Sequence, residues 1–459
     1  MSTPASAGAP RARETFARVR EERNLDAFPG NYGPPLVGNT FAVLFRNQRF
    51  TQRMYETYGP IYRNSVLAQR FVTLLSADAA QRLMTDREST FSSKLGWNAS
   101  LGAFFAGGLM LRDFEDHKFH RKLIQPAFRR AALEGYLPLA AAIVARRQAG
   151  LAPGQPLRFY PYVKAVTLEI AARLFLGVEL GADSERLQRA FLQVVKAAAA
   201  LIRRPVPGMA HWRGVRARKV LEEYLRAQIP GRRANPGADL FSQLCIATNE
   251  DGAAFSDDEI VNHLIFFMVA AHDTTASSLT SLTYELCKNP DWQERLRADV
   301  ARFAPGEIGI GALESMDVVD AAFRETLRLY PAVPLIPRRT VKPVEIGGYT
   351  VPPNTTLYLN VTFIQRLAEH WPEPNRFDPA RFGDGAAKEG RHPYAWFPFG
   401  GGAHMCAGFH LANLIVKLFL WHFLREYRIA FPPGYTPPDF ALFPFPKPKD
   451  GLLARLEPL

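Results

Sequence analysis

The 459-residue sequence predicts a mainly helical α+β protein with small β-sheets gathered to one side. Three observations carry that expectation. The apolar pattern from about residue 77 to 330 is mostly helical. Short apolar, β-branched pieces flank it, at 61–67, 71–76 and 344–361. Strand and helix patterns do not alternate in the manner that a parallel sheet requires.

In chain order, residues 1–27 are polar, contain no apolar run long enough for a signal peptide or a spanning helix of about 20 residues, and are expected to be disordered. Residues 28–459 are expected to form one domain, since no Gly/Ser linker, charge block or repeat interrupts them. FPGNYGPPLVGNT (28–40) is too rich in Pro and Gly for regular helix or central strand. IYRNSVL (61–67) and FVTLLS (71–76) read as a hairpin. The alanine run at 197–200 sits inside a helical pattern. The best-marked helix starts at Ser256, which makes a capping box with Glu259 while Asp257 and Asp258 suit the positive helix end; Pro290 follows its last turn. Its roughly 33 residues span on the order of 50 Å. His272, Asp273, Thr274 and Thr275 interrupt its apolar middle, where an unpaired polar group costs roughly 1–3 kcal/mol. Strands return at VEIGGYTVPPNTTLYLNV (344–361), with GG as the turn, and at RIAF and FALFPFP near the end.

A composition of 47% hydrophobic and 22% charged residues excludes a disordered chain. The net charge of +12 comes from basic residues interleaved with acids and without a nucleic-acid motif, which favours an acidic protein partner over nucleic acid. Cys245, Cys287 and Cys406 lie far apart with no CxxC pair. That spacing excludes a disulfide framework, a zinc knuckle and covalently attached haem, and it suits a reducing cytoplasm.

FPFGGGAHMCAG (397–408) sets four glycines and a proline around one thiol, directly before an apolar helical segment. One reading is a buried, inert cysteine after a loop. The other is an axial thiolate for haem iron: glycines let the backbone approach a porphyrin, the following helix start lowers the thiol pKa, and Phe399 shields one side.

The stretch resembles the haem-thiolate signature F-x-x-G-x-[R/H]-x-C-x-G of the cytochrome P-450 family, through Phe399, Gly402, His404, Cys406 and Gly408. Four further matches follow the family's order along nearly the whole chain. HKFHR (117–121) stands for the family's WxxxR, AAHDTT (270–275) resembles its oxygen-activating segment, ETLR (325–328) its ExxR, and FDPARF (377–382) the segment that supplies Arg381. The resemblance implies the cytochrome P-450 fold, with haem b (iron-protoporphyrin IX) between the long central helix and the helix after the cysteine loop. Cys406 would ligate the iron. His117, Arg121, Arg338 and His404 would pair with the propionates, Arg339 leaving an ambiguity of one residue, and the charge of His404 would depend on pH. Glu325, Arg328 and Arg381 would form a buried network, with Gln365 and Leu367 departing from the His and Asp common in relatives.

The implied reaction inserts one oxygen atom of O2 into a hydrophobic substrate, with Thr274 holding and Asp273 relaying protons. His272 either joins that relay or satisfies a neighbouring helix; Ala271 replaces the frequent glycine. Pocket walls would come from Trp97, Leu101, Phe104, Phe105, Phe267, Ala270, Val333, Leu335, Ile336 and Phe443, which suit a terpenoid, steroid, retinoid or fatty acid. The stretch 201–219 takes the place of the family's mobile lid, with contact to a membrane or plain solvation both open. The chain has no GxGxxG fingerprint, so electrons would come from an acidic ferredoxin or flavodoxin docking on Lys118, Arg121, Lys122, Arg129, Arg130 and Lys417 of a soluble, monomeric, cytoplasmic enzyme. Alternatives are a haem-thiolate enzyme that isomerises or uses peroxide, and a non-catalytic haem sensor; the Asp273–Thr274 pair speaks against both.

Overall fold

The computed structural model describes residues 20–67, 69–179, 185–198, 200, 203–306, 308–383 and 390–459. Most of the expected N-terminal segment (1–19), Ala199 of the alanine run and the first two residues of the 201–219 stretch lie outside them. The chain is mainly helical with small sheets, as expected from the sequence.

The first hairpin pairs β1 (Ile61–Val66) with β2 (Gln69–Leu74) in antiparallel register from Ile61↔Leu74 to Val66↔Gln69. It extends into a five-stranded sheet that continues through residues far along the chain: β3 (Phe91–Ser92), β4 (Leu335–Thr340) and β5 (Thr356–Asn360), in the order β1-β2-β5-β4-β3. Val72, Leu74, Leu357 and Leu359 are fully buried, so the parallel β2–β5 pairing is the apolar seam that joins the two ends of the sequence. Leu25 and Phe28 pack into the same cluster, and Glu21 accepts hydrogen bonds from Gln69 (3.1 Å) and Thr356 (3.0 Å). The expected boundary at residue 27 therefore falls inside ordered structure. The GG turn is present, with Gly347 and Gly348 at φ +55° and +83° between short antiparallel strands. A strand at Pro156–Arg158, too short to read from sequence, pairs with the C-terminal Leu453–Pro458.

Among the helices, α1 (Ala77–Met84), α2 (Ser93–Phe105), α3 (Phe114–Ile124), α4 (Phe159–Ala171), α5 (Asp257–Lys288), α6 (Asp317–Leu329) and α7 (Phe409–Glu426) build the site. The capping box of α5 is formed: Ser256 Oγ accepts from Glu259 N, and Glu259 accepts from Ser256 N at 2.9 Å. Because α4, α6 and α7 all pack on it, α5 is buried along most of its length. Asp113 ties α2 to α3, accepting from Ser92 Oγ (2.5 Å), Ser93 N (2.7 Å) and Lys94 N (3.0 Å). A carboxylate at the N-terminus of α2 is favoured by the helix dipole.

Candidate active site

Between Trp396 and α7 the glycine-rich loop turns twice through left-handed backbone, at Gly400 (φ +71°) and Gly402 (φ +59°). A side chain at Gly402 would place its Cβ 1.8 Å from the carbonyl oxygen of Met84, so glycine alone lets the loop pass the end of α1. Cys406 N donates to Phe399 O (2.9 Å), closing the loop, and Phe399 stands edge-on to Phe409 at 4.7 Å. Cys406 is surface-accessible within the loop and lines a cavity of about 270 Å³. Burial pushes its thiol up, against the pull of the Gly408 N–H and the Arg121 guanidinium. Without a metal the thiol is thus held above its ordinary range, contrary to the lowering expected from the helix start alone.

Four basic side chains gather at one edge of this cavity. The rings of His117 and His404 lie 3.9 Å apart, Arg121 donates to Met405 O (2.6 Å), and Arg338 donates to the neighbouring Pro337 O (2.9 Å). None of the four forms an ion pair among the described residues. Burial first, then the neighbouring positive charges, lower His117 to about 4 and His404 to about 2. Burial also brings Arg338 down to about 10. Of the two arginines, Arg338 shares the cavity face of β4 with Ile336, while Arg339 turns to Asn354 O (3.2 Å).

The opposite wall is the middle of α5, with Ala270, Ala271, Thr274, Thr275 and Ser278. Thr274 Oγ1 donates to Ala270 O (2.6 Å), which holds the hydroxyl on the cavity face. Asp273 is fully buried and faces α4 instead. Its Oδ1 accepts from Tyr160 OH (3.1 Å) and Lys164 Nζ (2.5 Å), and its Oδ2 lies 3.2 Å from His272 Nε2. Burial pushes this carboxyl up, but His272 and Lys164 outweigh that and hold it well below the usual range. His272 Nδ1 is 2.5 Å from Met268 O, so the ring bonds its own helix and faces its neighbour's carboxylate.

Behind the loop, Arg328 forks onto Glu325 with both parts fully buried: Nε to Oε2 at 2.6 Å and Nη2 to Oε1 at 2.8 Å. Its remaining N–H groups reach Gln365 O (3.1 Å), Pro374 O (2.7 Å) and Arg376 O (3.2 Å). Arg381 Nε approaches Glu325 to 3.4 Å and Nη2 donates to Glu373 O (3.1 Å). Gln365 makes the contact that its departure from histidine put in doubt. Its amide donates to Leu327 O (2.9 Å) and accepts from Phe397 N (2.8 Å), joining α6 to the cysteine loop.

The cytochrome P450 family profile matches residues 29–453. Cytochrome P450 136 of Mycobacterium tuberculosis is 38% identical over 94% of this chain and 88% of its own length. The chain belongs to the cytochrome P450 family. A plant relative, the taxane 10-beta-hydroxylase of Taxus cuspidata, is 27% identical over 90% of this chain and 86% of its own. The solved structure of retinoic acid bound cyanobacterial CYP120A1 superposes with a TM-score of 0.85 at 27% identity, covering 94% of this chain and 99% of that one. This P450 is a monooxygenase, with a substrate, O2 and a redox partner.

Haem fits the residues present. Arg338 and Arg121, with the rings of His117 and His404 beside them, make no ion pair with a carboxylate among the described residues, which a porphyrin's carboxylates would supply, and the missing side chain at Gly402 lets the cysteine loop pack against the end of α1. Ligation removes the thiol proton outright, offsetting the effect of burial. When bound, haem supplies the iron at which O2 is reduced. In that complex the chain would hold the sulfur, pair with the carboxylates and line the oxygen side with the hydroxyls of Thr274, Thr275 and Ser278.

Of the expected pocket residues, Trp97, Phe267, Ala270, Val333 and Ile336 line the P450 cavity. Leu101, Phe104, Phe105, Leu335 and Phe443 do not. Trp97 and Leu101 are one turn apart, but Leu101 packs into the core, as do the buried Phe104, against His211 (5.0 Å), and Phe105, edge-on to Phe266 (6.5 Å). Leu335 is on the alternate face of β4 from Ile336, and Phe443 belongs to the C-terminal hairpin region outside the lining. Met84, Met110, Phe128, Phe175 and Phe266 line the cavity without having been anticipated. Only Phe266 carried a signal, one residue from Phe267 on α5; the others arrive through tertiary packing.

Proposed function

We propose that this cytochrome P450 binds haem b and oxidises a terpenoid-, steroid-, retinoid- or fatty-acid-like substrate, with an acidic ferredoxin or flavodoxin as donor. It works as a monomer in the cytoplasm, residues 28–459 acting as one catalytic unit. Among the described residues no helix is long and apolar enough to cross a membrane. The observation that carries the substrate class is the lining beyond the cysteine loop, where Trp97, Phe266, Phe267, Val333 and Ile336 leave few polar groups besides Ser93, Thr274, Thr275 and Ser278. The names of relatives support rigid isoprenoids within that class: taxane 10-beta-hydroxylase and ent-kaurenoic acid oxidase 1. Titration with retinoic acid, a diterpene acid, a steroid and a fatty acid is expected to shift the Soret band for at least one. A shift only with small polar ligands would sink the substrate class.

In this reading Thr274 Oγ1 positions the oxygen-side proton, and Asp273 relays one that it takes from the partly exposed Lys164 ammonium, which solvent then reprotonates. For the donor, Lys118, Lys122 and Arg129 are exposed on and after α3 and support an acidic partner, although Lys122 already meets Glu250 at 2.7 Å and Lys118 stands 3.5 Å from Glu115. Lys417 drops out of that surface because it is buried, 3.4 Å from Asp320, and Arg130 is engaged by Glu314 at 2.8 Å. Turnover is expected to fall steeply with added salt; a flat dependence counts against the basic docking face.

A further inference from the structure

The first turns of α5 meet α3 through a second buried ionic cluster. His120 and His263 are fully buried, with His120 Nδ1 2.8 Å from His263 Nε2. His120 Nε2 lies 3.4 Å from Asp116 Oδ1 and 3.3 Å from Glu259 Oε1. Arg112 donates to both Asp116 oxygens, at 2.9 and 2.8 Å, and stands 3.8 Å from Glu259. Phe255 stacks on the His120 ring at 5.1 Å. The charged and titratable groups around His120 are therefore Arg112, Asp116 and His117 from α3 and the turn before it, with Glu259 and His263 from α5.

Burial pushes both carboxyls up, but His120 and their other donors outweigh it, leaving Asp116 at about 2 and Glu259 well below its usual value. Two carboxylates and one guanidinium leave a net negative charge beside the two buried imidazoles, which a second proton on one imidazole cancels. Geometry selects His120. Its Nε2–H faces two oxygens that can only accept, and its Nδ1–H faces the ring nitrogen of His263. His263 then keeps its own proton on Nδ1, which finds no acceptor among the described residues.

We propose that His120, as an imidazolium, is a proton-dependent latch between α3 and α5 that positions His117 and Arg121 on the cavity edge and so sets how long haem is retained. The inference rests on the reading that those two residues hold the haem carboxylates. His120 is a positioning residue, one turn from His117 and beside Arg121 on the same helix.

Haem transfer from the holoenzyme to excess apomyoglobin tests this across about pH 5 to 8, the range in which imidazoles change charge. Wild type is expected to lose haem faster as pH rises. His120→Gln should lose it about tenfold faster near neutrality, the size of one charged hydrogen bond, with the pH dependence flattened. His117→Gln should be faster at every pH while keeping the dependence; haem loss at the wild-type rate would overturn the haem-edge reading but not the latch. The latch itself is judged by amide hydrogen exchange in residues 114–124 of wild-type holoenzyme. Exchange should accelerate there with pH beyond the intrinsic chemical rate. A wild-type pH profile in His120→Gln, or flat corrected exchange in α3, overturns the proposal, and the exchange result decides alone if the variant fails to fold.

Discussion

Two buried acid–cation pairs lie on helices that pack together, and they are built differently. Glu325 is gripped by both arms of the Arg328 fork and by Asp378 N–H (2.9 Å), and Arg328 spends its other donors on three backbone carbonyls. Asp273 is held by one Lys164 ammonium and one Tyr160 hydroxyl, while Oδ2 has no hydrogen bond among the described residues and His272 Nε2 faces it at 3.2 Å. A fully satisfied pair has no lower-energy place to go. One held by a partly exposed lysine on a flexible stem can let go without leaving a buried guanidinium behind. The difference separates a pair that fixes the fold behind the haem from one suited to carry a proton.

The largest expected effect breaks the first pair. Arg328→Leu leaves three carbonyls without partners and strips a buried carboxylate of its main one, a loss of about 3–5 kcal/mol, and soluble haem-loaded protein should fall sharply, read as the ferrous carbonyl absorption per mole of chain. Arg328→Lys should recover only part of this, since a point charge cannot fork. Near-normal loading in Arg328→Leu would show that the network is dispensable.

The second pair should answer in chemistry and not in stability. Asp273→Asn keeps volume and hydrogen bonding but removes the acid, so product formation should drop by roughly 100-fold, as for loss of a proton-transfer group, with haem content unchanged. Thr274→Ala should release peroxide at the expense of product. Coupling equal to wild type in both variants would refute the relay, and a loss of haem loading in Asp273→Asn would make the two pairs alike.

The sequence-level reading reached those elements whose signal is local. The capping box of α5, the GG hairpin and the spacing of Glu325 and Arg328 each lie within a few residues, and each forms as read. Resemblance supplied the fold and the loop around Cys406. What stayed illegible was orientation. Asp273 and Thr274 are adjacent in sequence but 100° apart around a helix, so that one faces α4 and the other the cavity. Strand alternation puts Leu335 off the lining, and Leu101, one turn from Trp97, packs into the core instead. Met84, Phe128 and Phe175 reach the cavity only because distant elements close around it. The direction of the Cys406 shift was also beyond reach, since burial depends on the whole fold.

A third, smaller effect separates the finished pair from the unfinished cluster of cations. In the haem-free chain burial lowers His117 to about 4, from an unfolded value of 6.5. Its folded value is depressed, so its contribution to stability is present above the unfolded value and is lost as pH falls toward the folded one, because the unfolded chain takes up the proton first. Between neutrality and pH 5 this costs on the order of 2 kcal/mol. Urea denaturation of the haem-extracted chain should show that acid loss, and His117→Gln should lack it. In the haem-loaded protein the porphyrin carboxylates favour the protonated ring, and the loss should shrink. The Glu325–Arg328 pair, complete with or without haem, predicts no such difference between the two forms, so an equal acid loss in loaded and extracted protein would mean that the cation cluster is as self-sufficient as the network behind it.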